Sequence, residues 1–150
     1  MPTIWIDGDA APKDCKSVVF KASARRGVDV VIVANRWQQI PKSSRIRFVQ
    51  VGAGMDVADD YIVAECEAGD LIITADIPLA AEVVEKGGVV IDPRGKELDA
   101  SNVRQALAMR DFATELRAGG MTMGGPPAYA AKDKQRFANA LDRWITKRVS

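Results

Sequence analysis

Leu71-Ile72-Ile73-Thr74-Ala75-Asp76-Ile77-Pro78-Leu79-Ala80 is the stretch from which the fold can be read. A short run of bulky apolar residues follows Gly69-Asp70 and stops at an acid, and Pro78 then stands where a helix running to Lys86 would begin. This is the pattern of a strand buried on both faces whose carboxyl end opens into a loop and a helix. Thr3-Ile4-Trp5-Ile6 repeats it, ending in Asp7-Gly8-Asp9, with Pro12 placed to open a helix that Gly27 closes after Arg25-Arg26.

Outward from these two units the alternation continues. Val28 to Val33 and Arg45 to Val51 read as strands, and Met55 to Ala68 as a helix. Val89-Val90-Ile91 reads as a strand ending at Asp92, and Ser101 to Leu116 as a helix with Leu107, Met109, Phe112 and Leu116 on its apolar side. Parallel neighbours need crossover connections, so repeated strand-helix-strand units predict an α/β domain with a central, mainly parallel sheet and helices on its faces. After Gly119-Gly120, Met121 to Ala130 is expected to be a Gly/Pro loop. Asp133 to Lys147 follows as an amphipathic helix burying Phe137, Leu141, Trp144 and Ile145. Residues 1–150 are expected to form one domain, with this loop and helix occupying about 119–148.

Composition narrows the chemistry. The 150 residues are 47% hydrophobic, enough for a sizeable core, and show neither a signal-peptide pattern nor an apolar run able to span a bilayer. Two cysteines, Cys15 and Cys66, stand far apart with no CxxC pairing, which fits a reduced, cytoplasmic setting. There is no histidine, which excludes histidine-based triads and zinc sites of the usual mixed type. Any metal ligands must be carboxylates, which suit magnesium or manganese. A net charge of +1 gives no general basicity, so a nucleic-acid partner must be argued from local clusters.

The acids have a pattern. In a parallel sheet Asp7 and Asp76 emerge at the same carboxyl-terminal edge, where open α/β sheets bind ligands. Asp9 lies two residues beyond Asp7. Asp56, Asp59 and Asp60 open the next helix, where acids are also favoured by the helix dipole. Asp59 shares a stripe with Ile62 and Cys66 and is expected to face inward. An inward carboxylate needs a cation or several donors, and several acids on one edge repel one another unless a cation joins them. Asp7, Asp9, Asp56, Asp59 and Asp76 are therefore the candidate metal ligands.

Asp7-Gly8-Asp9-Ala10-Ala11-Pro12, Asp56-Val57-Ala58-Asp59-Asp60-Tyr61-Ile62-Val63 and Gly69 to Ala80 resemble the bacterial YaiI/YqxD family of uncharacterised proteins. Asp92-Pro93-Arg94-Gly95, Met109-Arg110-Asp111-Phe112, Gly124-Gly125-Pro126 and Asp133-Lys134-Gln135-Arg136-Phe137-Ala138 extend the resemblance over almost the whole chain. One position departs: Ala11 stands where the family's first motif usually carries a cysteine, so a thiol mechanism is not implied. The family is in turn similar to the PIN-like metal-dependent nucleases. That resemblance implies a Rossmann-like, three-layer PIN-like fold and magnesium- or manganese-dependent phosphodiester hydrolysis, in RNA rather than DNA. Asp7, Asp59 and Asp76 would be catalytic acids, with Thr74 orienting a carboxylate or water. Lys13 and Lys16, beyond the first acidic loop, and Lys134 and Arg136, in the basic run Lys132 to Arg148, are candidate phosphate contacts. Exposed lysines on helices are more often simple solubilising groups.

Two other functions fit the same residues. A non-catalytic RNA-binding or regulatory module would keep the fold and lack turnover. A haloacid-dehalogenase-like phosphatase would use Asp7 as nucleophile, Asp9 as general acid/base and Thr74 as a phosphate-binding hydroxyl. The order of residues counts against it, since Asp59-Asp60 precedes Thr74 where that family places its later acids after it.

Overall fold

A computed structural model describes residues 2–54, 56–120 and 127–148. The element order is β1 (Thr3–Asp7), α1 (Lys13–Arg26), β2 (Asp29–Ala34), β3 (Ile46–Gln50), α2 (Val57–Glu65) and β4 (Leu71–Ile73). It continues with α3 (Ile77–Glu85), β5 (Val89–Ile91), β6 (Glu97–Leu98), α4 (Val103–Ala118) and α5 (Ala131–Arg148). The strands form one sheet in the order β3-β2-β1-β4-β5-β6, parallel except for the antiparallel β5–β6 pair. The chain winds outward from β1 through β2 to β3, then returns to the other side of β1 to lay down β4 and β5. The β1–β4 boundary is thus the topological switch point, where a crevice opens at the carboxyl edge.

Side-chain alternation along the strands sorts the core into two layers. Ile4, Ile6, Val30, Ile32, Leu71 and Ile73 pack against Cys15, Val19 and Ala22 of α1 and Phe137, Leu141, Trp144 and Ile145 of α5. Trp5, Val31, Val33, Ile72 and Val90 pack on the other face, against Ile62 of α2, Leu79, Ala80 and Val83 of α3, and Ala106 of α4. The result is the expected three-layer, Rossmann-like α/β arrangement. Among the described residues no helix is long and apolar enough to cross a membrane.

Three details differ from the sequence reading. First, β6 has only two residues, too few to carry a periodic signal. It forms because Asp92 Oδ1 accepts the backbone N–H of Arg94 (2.9 Å) and of Lys96 (3.0 Å), folding the chain back on β5. Gly95 closes that turn at φ +91°, so near α5 that a Cβ would lie 2.6 Å from the carbonyl carbon of Arg136. Second, α2 begins at Val57, and Asp56 precedes it in the left-handed conformation (φ 68°) with no capping hydrogen bond from its side chain. Third, Met109 and Phe112 do not serve the core: they are 63% and 56% exposed. Only Val103 of α4 is fully buried, near its start, and the later turns stand off the domain. Of the expected Gly/Pro loop, 121–126 lie outside the described residues, and 127–130 form neither helix nor strand.

The loop into α5 is tied to the β5–β6 turn by a compact polar knot. Arg94 Nη1 reaches Asp133 Oδ2 at 2.9 Å, its Nη2 donates to the Pro127 carbonyl, and its guanidinium lies 5.8 Å from the Tyr129 ring centroid. Tyr129 in turn donates to the Pro93 carbonyl at 2.7 Å, and Asp133 also accepts from the Ala130 N–H at 2.9 Å. Asp92-Pro93-Arg94-Gly95 and Asp133 are thereby explained as structural residues.

At the amino edge of the sheet, buried Asp70 accepts three hydrogen bonds: from Thr3 N (2.9 Å), Trp5 Nε1 (3.0 Å) and Glu67 N (2.9 Å). They hold β1 against β4 and leave the carboxylate well satisfied. Asp70→Ala strands three donors, the indole N–H among them buried, so urea unfolding should show a loss of about 2–4 kcal/mol.

Candidate functional site

Asp7 closes β1, and its neighbour β4 runs beside it in the register Ile6↔Ile73, so Asp7 and Thr74 leave the sheet side by side. Both fall two residues beyond side chains of the α2/α3 layer, Trp5 and Ile72, and so point to that face. Thr74 Oγ1 donates to Asp7 Oδ2 at 3.1 Å and accepts the backbone N–H of Asp76 at 3.0 Å. With its one proton committed to Asp7, Thr74 acts as an orienting hydroxyl. Asp76 caps α3: its Oδ1 accepts the Leu79 N–H at 3.1 Å, with Pro78 in the first turn.

Asp59, in the first turn of α2, completes the group. It is half-buried on the stripe that also holds the buried Ile62 and Cys66, as expected. Burial, then the charges of Asp76 and Asp7, then a hydrogen bond shared with Asp76 and the charge of Asp56 push its carboxyl up to about 7. The Asp7 carboxyl is likewise raised, chiefly by burial and further by Asp76 and Asp9, while the Thr74 hydrogen bond and Lys16 oppose the rise. Asp7, Asp59 and Asp76 thus share one half-buried space at the switch point, and the charge of Asp76 disfavours ionisation of the other two. Among the described residues no three acidic or cysteine side chains stand at metal-ligand spacing as they are.

The other predicted residues take more distant places. Asp9 is exposed and its Oδ2 accepts the Asn35 N–H at 2.8 Å, so it acts on Asp7 through charge from the rim. Asp56 is exposed and is felt by Asp59 only electrostatically. Lys16 is half-buried, its Nζ donating to Gln38 Oε1 at 2.7 Å, and it is the cation whose charge favours ionised Asp7. Lys13 is exposed in the first turn of α1. Lys134 and Arg136 belong to α5, in the layer across the sheet from Asp59 and α3. Arg136 joins Arg94, Lys96, Asn139 and Arg143 around a cleft of about 360 Å³ beside the β5–β6 turn, whereas Lys134 does not line it.

Sequence reasoning missed the β2–β3 connection. Gln38 Nε2 donates to the Gly8 carbonyl at 2.9 Å, so this loop is fastened to the turn directly after Asp7. Trp37 beside it is 70% exposed. The available signal was a tryptophan inside Asn35 to Ser44, a stretch with Arg36 and Lys42, no acid and no apolar periodicity. Cys15 and Cys66 are free and buried; burial pushes the Cys15 thiol up to about 12 and the Cys66 thiol upward too. Neither has the low-pKa environment of a reactive thiol, in keeping with alanine at position 11.

The family described as "Uncharacterized BCR, YaiI/YqxD family" matches residues 5–147. The chain belongs to the YaiI/YqxD family. Among its relatives, a UPF0178 protein of Saccharophagus degradans is 58% identical over 144 residues, covering 96% of this chain and 95% of the relative. UPF0178 proteins of Syntrophotalea carbinolica and Cronobacter sakazakii are 51% and 50% identical, covering 97% of this chain in each case and 99% and 96% of the relatives. No solved structure matches the chain. Family membership thus extends over nearly the whole chain and assigns it no activity.

The crowding of acids has a measurable pH signature. Because the Asp59 pKa is raised on folding, the folded protein holds a proton that the unfolded chain gives up near the ordinary aspartate value of 3.8. In chelator, stability should therefore fall as pH rises from about 4 to about 7 and level off above. Asp59→Asn should be more stable than the native protein above neutrality, with the difference closing toward pH 4, as followed by urea unfolding across that range.

Proposed function

We propose that this YaiI/YqxD protein is a PIN-like, metal-dependent nuclease that hydrolyses phosphodiester bonds of nucleic acid. The observation that carries it is the meeting of Asp7, Asp59 and Asp76 in one half-buried crevice at the switch point, with no lysine or arginine among them close enough to form an ion pair among the described residues. An oxygen-only donor set fits magnesium or manganese. When bound, such an ion lowers the pKa of water and offsets charge building on phosphate oxygens. The protein's own share is positional. Thr74 fixes the rotation of the Asp7 carboxylate, and the α3 cap fixes Asp76 with its Oδ2 left free of that bond. Asp59 supplies an acid from a separate element. Asp9 and Asp56, at the rim, would hold metal-bound water or a second ion. Lys16 sets a positive charge beside the crevice, where an approaching phosphate would feel it.

Support for a polynucleotide comes from the cleft among Arg94, Lys96, Arg136 and Arg143. Lys96 and Arg136 have no acidic partner within ion-pair distance among the described residues, which leaves their charge for a phosphate backbone. The same cleft is what a non-catalytic RNA-binding module would use, and it stands apart from the acids. A dehalogenase-like phosphatase fits less well, because Asp9 is engaged by the Asn35 backbone and the Thr74 hydroxyl already donates its hydrogen bond to Asp7.

Purified protein incubated with single-stranded and structured RNA, DNA and phosphomonoesters, in magnesium, manganese or chelator, separates these functions. Metal-dependent cleavage of a polynucleotide is expected, falling by at least ~100-fold in Asp7→Asn and in Asp76→Asn. Asparagine serves as well as aspartate at a helix N-cap, so Asp76→Asn should keep α3 intact, verified by circular dichroism. Full cleavage in both variants contradicts the site. Chelator-insensitive binding without turnover would favour the module, and monoester hydrolysis the phosphatase.

A further inference from the structure

Three tryptophans serve two purposes in this fold. Trp5 and Trp144 are only 6% and 5% exposed and belong to the core, whereas Trp37 is 70% exposed. Its position is imposed by what flanks it. Before it, the Asn35 N–H donates to Asp9 Oδ2 at 2.8 Å, and Gln50 Nε2 donates to the Asn35 carbonyl at 3.3 Å. After it, Gln38 bridges the Gly8 carbonyl and the Lys16 ammonium at 2.9 and 2.7 Å, and Ile40 is half-buried against the α1/α5 core. Trp37 therefore stands between two anchor points, each fastened to the acidic turn that follows Asp7. Met109 and Phe112, the other large exposed side chains besides Val57, have no such link to the crevice among the described residues.

The loop's own charge is of one sign, although Asp9 lies against its first residue. Asn35 to Ser44 contains Arg36 and Lys42, both exposed, and no acid, while half-buried Lys16 supports the loop from below. An exposed aromatic face among cations at the lip of an acidic crevice suits a ligand that is flat, apolar on its faces and negatively charged along its length. An unpaired nucleotide chain has these properties: its base stacks on the ring and its phosphates meet the cations. In a duplex the base faces are covered by their neighbours, so the same contact cannot form without unstacking.

We propose that Trp37 is a base-stacking residue that seats an unpaired base of a bound nucleic acid beside the crevice. The proposal rests on the nuclease assignment only for its choice of ligand class, since stacking requires no turnover. Trp37 is a positioning residue here: it holds a base beside the site and takes no part in bond breaking.

The test uses the full-length protein with single-stranded RNA of about a dozen mixed nucleotides, and with a duplex of the same length. Calcium is supplied in one series and chelator in another. Since Trp37 is the exposed tryptophan of the three, its emission reports directly on stacking, and anisotropy of a labelled strand reports affinity. Single strand should quench the emission, and Trp37→Ala should weaken its binding by roughly 5- to 100-fold and abolish the quenching, with Trp37→Phe restoring most of the affinity. Duplex should bind more weakly and leave the emission unchanged. Equal single-strand affinity in Trp37→Ala and native protein, equal quenching by duplex, or no binding of single strand at all would each overturn the proposal. Cleavage retained with unaltered affinity in Trp37→Ala would overturn stacking and leave the nuclease assignment standing. Stacking without cleavage in any metal would do the reverse.

Discussion

The pairing of β1 with β4 is the constraint on which the rest depends, and a carboxylate stands at each end of it. At the amino end, Asp70 accepts three hydrogen bonds and ties the two strands and the preceding loop together. At the carboxyl end, Asp7 receives one side-chain hydrogen bond, from Thr74, and faces two further acids. Both are buried, yet one accepts three hydrogen bonds and the other one. A buried acid that has its donors is part of the scaffold; one with fewer donors and crowded by like charge is a candidate for function.

The topology explains why the crowding occurs there. At the switch point the connections leaving β1 and β4 part to opposite sides, so no crossover covers the crevice between them. α2 and α3 approach it from one face and each brings an acid in or just before its first turn, Asp59 and Asp76. Both helix starts offer partial positive charge, which offsets part of the repulsion without neutralising it. The β2–β3 loop closes the rim from the other side through Gln38 and Asn35. Sheet edge, the start of α3 and the loop are thus joined by short polar contacts into one unit.

Much of this was legible in the chain itself. Buried parallel strands read as short apolar runs, and Pro12, Gly27 and Pro78 punctuate the helices where expected. The inward aspect of Asp59 followed from its spacing to Ile62 and Cys66. What was not legible depended on contacts between distant segments. The two-residue β6 exists through the Asp92 turn and its seat against α5, neither of which a local pattern encodes. The exposure of Met109 and Phe112 reflects how far α4 runs beyond its neighbours, and helical periodicity cannot reveal that. Asp9 and Asp56 stood among the candidate metal ligands beside the three central acids, and a backbone hydrogen bond from Asn35 and a left-handed turn place them at the rim. Trp37 acquires meaning only once Gln38 is seen to reach Gly8.

That the crowded acids are held for a divalent cation is the central claim, and direct manganese binding tests it without reference to any substrate. Electron paramagnetic resonance of free manganese titrated with native protein should show saturable loss of signal, and affinity should fall by at least ~10-fold in Asp7→Asn and in Asp59→Asn. Asp70→Asn, which alters the satisfied carboxylate at the opposite edge, should bind as the native protein does. No binding by the native protein, or equal binding in all four proteins, would contradict the account.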